Sequence, residues 1–181
     1  MFSLVSKNSS LAALVIISVL SLLWVVDGVA KGVNKKSKGS LPHVEIKTGA
    51  DLASDGREAS KKQIPVLMFF SMKHCGYCIE VEEDYLKPML RNSSYDNKVI
   101  IRKIKIDSAD TVRDFAGKEH YADDFGDIYN ISMVPTVILV DSKGKKIAPP
   151  IIGIASSNFY SHDLDKAIKA STQKIRTLAK R

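Results

Sequence analysis

The two cysteines of the chain, Cys75 and Cys78, lie three positions apart and are the only cysteines among its 181 residues. They follow an apolar run at 65–70, which predicts a buried strand, and they precede a stretch with helical periodicity. A strand that ends in Cys-x-x-Cys and turns into a helix is the local arrangement of dithiol–disulfide exchange. Because no thiol is left for a separate structural disulfide, the pair is either a redox site or part of a metal site.

The first thirty residues have the pattern of a secretory signal. Lys7 precedes the apolar run 11–26, and Gly28 and Ala30 supply the small residues expected before a cleavage point. We therefore predict a signal peptide at 1–30, cleaved after Ala30. The alternative is an uncleaved membrane anchor, although the apolar run is shorter than the roughly 20 residues of a spanning helix. In both cases we expect an exported domain, periplasmic or otherwise outside the cytosol, which is tethered to the membrane if the segment is retained.

Composition predicts one folded domain behind a basic linker. The chain is 45% hydrophobic and 26% charged, which is enough for an ordinary core. Residues 31–43 contain four lysines and read as the linker, and 44–181 as the domain. The net charge of +7 comes without aromatic residues interleaved among basic ones, so we expect no nucleic-acid binding. We expect a monomer.

Periodicity along 44–181 predicts the element order β-α-β-α-β-α-β-β-α, an α/β fold with a mixed central sheet flanked by helices. Pro88 is expected to kink or end the second helix, and 108–117 to be loop. The predicted strands are 44–47, 66–70, 99–106, 136–140 and 147–152, and the predicted helices are 51–62, 78–89, 119–129 and 161–178, with Tyr121, Phe125, Ile128 and Tyr129 facing inward in the third helix.

The dithiol has a chemical role for each cysteine. Cys75 would stand at a helix N-terminus, where free N–H groups stabilise a thiolate, and would attack a substrate disulfide. Cys78, one turn later, would resolve the mixed disulfide that forms. His74 directly precedes the nucleophile and, when protonated, would stabilise the thiolate further. No cofactor is expected other than the Cys75–Cys78 disulfide itself.

Two motifs together resemble the thioredoxin superfamily. They are the stretch 69–78, which ends in Cys-Gly-Tyr-Cys, and Met133-Val134-Pro135-Thr136 before a hydrophobic strand. The resemblance implies a three-layer thioredoxin-like fold and an exported thiol–disulfide oxidoreductase. It also implies that Pro135 is cis beside the dithiol, that the Val134 backbone pairs with an extended substrate, and that Gly76 and Tyr77 contact it. Partners would be exported protein disulfides and thiols and a membrane or periplasmic redox partner.

The sequence departs from that family at a buried acid. Thioredoxins have an aspartate six residues before the first cysteine, where this chain has Phe69. Lys103 matches the lysine that partners that aspartate, so without the acid we expect Lys103 to face solvent. Glu80, Glu82 and Glu83 are expected only to complement the positive end of the helix.

Two other functions compete with exchange. A copper or zinc module would use His74, Cys75 and Cys78, with His43, His120 or His162 as a fourth ligand. A non-catalytic peptide-binding module would use the same scaffold without chemistry. Within the exchange function, reductase, isomerase and oxidase directions remain open because they share these residues.

Overall fold

Residues 41–180 are described by the computed structural model. Internal contacts divide the chain into two units, Met1–Leu41 and Pro42–Arg181. The predicted signal peptide at 1–30 and most of the predicted linker lie outside the described residues and stay predictions. Within 41–180, no helix combines the length and the apolar character needed to cross a membrane.

The part of the chain that the structure describes contains α-helices, β-strands and two short helical segments of other types. A π-helical segment, Val81–Leu86, joins the α-helices Gly76–Glu80 and Lys87–Arg91, and a 3-10 turn, Ser93–Tyr95, follows the second of them. The helices are α1 Leu52–Lys62, α2 Gly76–Glu80, α3 Lys87–Arg91, α4 Ala122–Ile128 and α5 Ser157–Leu178, and the strands are β1 Val66–Ser71, β2 Ile100–Lys105, β3 Thr111–Arg113, β4 Glu119–Tyr121, β5 Thr136–Val140 and β6 Ile151–Ile152.

The central sheet has the strand order β2-β1-β5-β6. β1 pairs with β2 in parallel and with β5 in antiparallel orientation, so the sheet is mixed. All six residues of β1 are buried, as an unbroken apolar run predicts for a strand covered on both faces. One face packs against Cys78 of α2 and Leu164 of α5, and the other against Leu52 of α1 and Phe125 of α4. The predicted fold class is therefore confirmed.

Helix α1 begins where the sequence predicts it. The Asp51 side chain accepts a hydrogen bond from the Ser54 N–H at 2.9 Å, which caps the first turn. Gly56, a poor helix former, lies where the helix passes close to the turn after β5. A Cβ atom at Gly56 would lie 2.5 Å from the Ser142 carbonyl oxygen, which explains why glycine is present inside this helix.

Three predicted elements near the edges of the sheet are wrong in part. Residues 44–47 form no strand, and pairing is limited to a bridge between Thr48 and Lys103. The final strand is only Ile151–Ile152, because Pro149 and Pro150 have no N–H to donate to a ladder. Helix α5 begins at Ser157, about one turn earlier than predicted.

The helix that contains Pro88 neither ends nor becomes irregular at the proline itself. Helical structure continues to Arg91, and the irregular stretch is the π-helical segment just before it. There the Lys87 N–H bonds to the Glu82 carbonyl, five residues back. Proline has no N–H to donate and fits poorly inside an α-helix. The wider π-helical turn before Pro88 lets the chain stay helical on both sides of this residue.

The segment 108–129 contains the largest error of the prediction. The expected loop contains β3, which pairs with β4 in a hairpin, and the expected helix begins only at Ala122. The Asp114 carboxylate forms the hairpin turn by accepting hydrogen bonds from the N–H groups of Ala116 and Lys118 and from His120 Nε2. Phe125 and Tyr129 are buried as predicted, whereas Tyr121 and Ile128 are exposed, so that part of the helical face was also wrong.

A buried ion pair joins α1 to the sheet. The Arg102 guanidinium on β2 donates to both carboxylate oxygens of Asp55, with Nε 2.8 Å from Oδ2. Both side chains are largely buried, so each depends on the other for compensation of its charge.

We expect Gly56→Ala to destabilise the fold by about 1–3 kcal/mol, because the added methyl group must displace the Ser142 backbone. Urea unfolding measures the loss. Gly76→Ala is the matched control, since no atom lies within 4 Å of a Cβ there and its φ is not positive. Equal stability of the two variants would contradict the close approach of α1.

We expect Arg102→Met to destabilise the fold by about 3 kcal/mol, because it leaves the Asp55 carboxylate buried without a partner. The control is Glu58→Gln, which breaks the exposed Glu58–Lys62 pair and should cost about 0.5 kcal/mol or less. Chemical unfolding of both variants gives the comparison, and a cost for Arg102→Met as small as that of the control would refute the buried pair.

Candidate functional site

The turn after β1 presents the first cysteine. Asp107, just beyond the end of the neighbouring strand β2, accepts a hydrogen bond from the Lys73 N–H at 2.7 Å. His74 follows with a φ of 56°, in the left-handed region that non-glycine residues seldom adopt. These two residues turn the chain from the strand into helix α2, and His74 itself is exposed.

Cys75 and Cys78 form a disulfide with their Cα atoms 5.2 Å apart. Cys75 is the N-cap of α2, and its Sγ atom accepts a hydrogen bond from the Cys78 N–H at 3.1 Å. Cys75 is half-buried, whereas Cys78 is only 4% exposed and belongs to the core. The structure thus places the more accessible sulfur at the helix N-terminus, where unpaired N–H groups favour negative charge.

The segment before β5 belongs to the same region. The Val134–Pro135 peptide bond is cis, and Pro135 is buried. The Pro135 carbonyl accepts a hydrogen bond from the Gly153 N–H at 2.8 Å. Val134 packs against the core cluster that contains Cys78 and that Cys75 also contacts.

The surface of the site is apolar and accessible. Tyr77 is 67% exposed, and the space above Gly76 holds no atom within 4 Å of a Cβ position. Met72, in the turn before Cys75, and Met133, directly before Val134, are also exposed. Sequence reasoning did not single out these methionines or Asp107. The sequence could have indicated Asp107, because it lies just after the strand that pairs in parallel with β1. The carboxyl ends of parallel strands meet at one edge of a sheet, so an acid there lies close to the turn after β1.

Lys103 does not face solvent, so that prediction was wrong. Its Nζ atom lies 2.9 Å from both carboxylate oxygens of Glu82, and the two side chains are 15% and 19% exposed. Phe69, paired with Lys103 across β1 and β2, is fully buried. Glu82 therefore has a cross-element partner as well as a place near the positive end of the helix.

Glu83 provides a contrast to Glu82. It pairs with Lys87 on the outer side of the same helix, and the hydrogen bond from Lys87 holds the pKa of the Glu83 carboxyl below its ordinary value. Lys87 Nζ also lies 3.7 Å from Glu82, so the two glutamates share one cation.

The geometry does not assemble the ligands of the metal-binding alternative. Within 41–180, no group of three or more histidine, cysteine, aspartate or glutamate side chains is arranged to hold a metal ion. His43 lies beside Glu45, His120 is bonded to Asp114, and His162 is on α5. None of the three joins His74 at the disulfide.

A mixed sheet between helical layers, with a disulfide at the start of the helix after its central strand, is the thioredoxin architecture. The family model described as a thioredoxin-like domain matches residues 52–168. The chain belongs to this thioredoxin-like family. Its fold and its Cys-x-x-Cys pair support the activity class of thiol–disulfide oxidoreductases.

Comparison with curated proteins gives no match. Similar solved structures include mitochondrial thioredoxin 3 of Saccharomyces cerevisiae in its oxidized form, with 21% identity, a TM-score of 0.44, and coverage of 68% of this chain and 93% of that chain. A poplar thioredoxin h gives 23% identity, a TM-score of 0.46, and coverage of 65% and 84%. Fasciola hepatica thioredoxin gives 14% identity, a TM-score of 0.47, and coverage of 68% and 97%.

We expect Asp107→Ala to destabilise the oxidised protein by about 1 kcal/mol, because the Lys73 N–H loses its acceptor. Asp107→Asn keeps an acceptor oxygen and should restore most of this loss in urea unfolding. If the alanine and asparagine variants were equally stable, Asp107 would not hold the turn through that bond.

Proposed function

We propose that the chain is an exported thiol–disulfide oxidoreductase that reduces or reshuffles protein disulfides through a mixed disulfide on Cys75. The observation that carries this proposal is the unequal burial of the two sulfurs in one disulfide. Cys75 is reachable at a helix N-terminus, and Cys78 is buried directly behind it. A structural crosslink over so short a loop would constrain the unfolded chain little, so stability alone is a weak reason for this disulfide.

The exchange proceeds in two displacements, written here in the reducing direction. The Cys75 thiolate attacks one sulfur of a substrate disulfide, that S–S bond breaks, and the first substrate thiolate leaves and takes a proton from water. The Cys78 thiol then loses its proton and attacks Cys75 Sγ, which expels the second substrate thiolate. Two electrons have passed from the Cys75–Cys78 dithiol to the substrate, and the intramolecular disulfide is restored.

Substrate binding would use the surface around Cys75. An extended peptide lying beside the Val134 backbone could form main-chain hydrogen bonds, the usual source of affinity in strand addition. Tyr77 offers an exposed aromatic face, and the open space at Gly76 lets a substrate sulfur approach. His74, exposed next to Cys75, is proposed to tune the thiolate electrostatically.

The proposed location and partners rest on the sequence pattern of the first thirty residues. The signal pattern at 1–30 supports export, to the periplasm or with the domain held at the membrane. There the substrates would be exported proteins, and a membrane or periplasmic redox partner would exchange electrons with the Cys75–Cys78 pair. The protein would act as a monomer, without further cofactor.

We expect purified wild-type protein to catalyse thiol-dependent reduction of a model protein disulfide. Cys75→Ser should abolish turnover, since the accessible thiol is lost and the remaining thiol of Cys78 is buried. Cys78→Ser should accumulate a mixed disulfide through Cys75, detected by mass spectrometry. Turnover by Cys75→Ser equal to wild type would refute the proposal. If the wild-type protein shows no turnover and the Cys75→Ala/Cys78→Ala variant still binds peptide, the domain is instead a non-catalytic peptide-binding module.

A further inference from the structure

Resolution of the mixed disulfide requires a proton acceptor that helix α2 does not itself supply. Cys78 is 4% exposed and lies among apolar core residues, where water has little access to its sulfur. The helix N-terminus acts on Cys75, one turn away. A base on the same side of the sheet as Cys78 would therefore assist the removal of its proton.

Glu82 is placed to be that group. It follows Cys78 by four residues in one continuous helical stretch, and side chains four apart share a helix face. Its partner Lys103 comes from the sheet face beneath, because it lies two residues after the core residue Ile101 on β2. Cys78, Glu82 and Lys103 thus occupy the same layer between the sheet and its helices.

We propose that Glu82, oriented by Lys103, accepts the proton of Cys78 when Cys78 attacks the mixed disulfide. This inference rests on the exchange activity proposed above. In the step, the Cys78 S–H bond breaks and its proton passes to a Glu82 carboxylate oxygen. The Cys78 electron pair forms the bond to Cys75 Sγ, the Cys75–substrate S–S bond breaks, and the substrate leaves as a thiolate. Glu82 then returns the proton to water through its exposed fraction.

The other nearby groups do not meet these requirements. Phe69 offers no base from β1, and Glu83 is 49% exposed and turned toward Lys87. The charged groups that face Glu82 are Lys103 from β2 and Lys87 from α3. Lys87 also interacts electrostatically with two other carboxylates, those of Glu83, four residues earlier, and of Glu45 in the segment before α1. Of these groups in the described part of the chain, Glu82 combines low exposure, a fixed orientation and a position one turn from Cys78.

The bidentate contact gives Lys103 a positioning role. Both carboxylate oxygens of Glu82 lie 2.9 Å from the same ammonium, which fixes the side chain against the sheet. A largely buried ion pair contributes little net stability compared with apolar residues of similar volume. The contact therefore serves to hold the Glu82 carboxylate in the layer that contains Cys78.

The test separates the two displacements with a symmetrical aromatic disulfide that releases one coloured thiolate in each. Reduced full-length protein is mixed with this reagent, so that the first phase reports attack by Cys75 and the second reports resolution by Cys78. We expect Glu82→Gln to slow the second phase at neutral pH by roughly a hundredfold, as for loss of a general base. The first phase should change much less, and the second should recover toward pH 9 as hydroxide takes over proton removal.

Glu83→Gln is the matched control, because Glu83 is one residue away, pairs with Lys87 and makes no salt bridge with Lys103, and both phases should stay near wild type. If Glu82→Gln does not fold, Glu82→Gln/Lys103→Met removes both charges together and must slow the second phase similarly. A wild type that reacts in two phases, with Glu82→Gln indistinguishable from Glu83→Gln, would overturn this inference. A wild type that shows no second phase would refute the exchange function itself.

Discussion

The hydrogen-bond ladders on the two sides of β1 are the constraint on which the site depends. Val66 to Ser71 pairs with β2 along one edge and with β5 along the other, and every residue of the strand is buried. Its end fixes where the turn to Cys75 begins. Antiparallel pairing with β5 brings the start of that strand, and hence Val134 and Pro135, to the same end of the sheet. The dithiol and the cis-proline segment are adjacent because one central strand positions both.

Polar and charged groups lie at two positions around the disulfide, namely the N-terminus of α2 and the Glu82–Lys103 pair between the helix and the sheet. Above the sheet, the start of α2 presents N–H groups to Cys75, and one of them reaches its sulfur at 3.1 Å. Behind it, the acid that thioredoxins place on the central strand is replaced by Phe69, and a carboxylate comes from the helix instead. Lys103, next to Phe69 in the ladder, keeps a carboxylate partner through Glu82. The carboxylate partner of Lys103 thus comes from the helix and not from the central strand.

Local signals in the sequence were enough for the centre of the fold. The apolar run of β1, the Cys-x-x-Cys after it and Pro135 before β5 each specify structure over a few residues, and all were placed correctly. The hairpin at 111–121 was missed because its turn depends on the Asp114 side chain bonding to Ala116, Lys118 and His120, which apolar periodicity does not register. The Glu82–Lys103 pair joins residues 21 positions apart, so it became visible only when the helix was packed on the sheet.

The unequal roles of the two sulfurs are the central claim, and alkylation of the reduced protein tests them most directly. Reduced wild-type protein is treated at neutral pH with limiting iodoacetamide, and the modified cysteine is identified by peptide mass spectrometry. The account predicts modification of Cys75 well before Cys78, because Cys75 is accessible and its thiolate lies at the helix N-terminus. Equal modification of the two cysteines, or faster modification of Cys78, would contradict it.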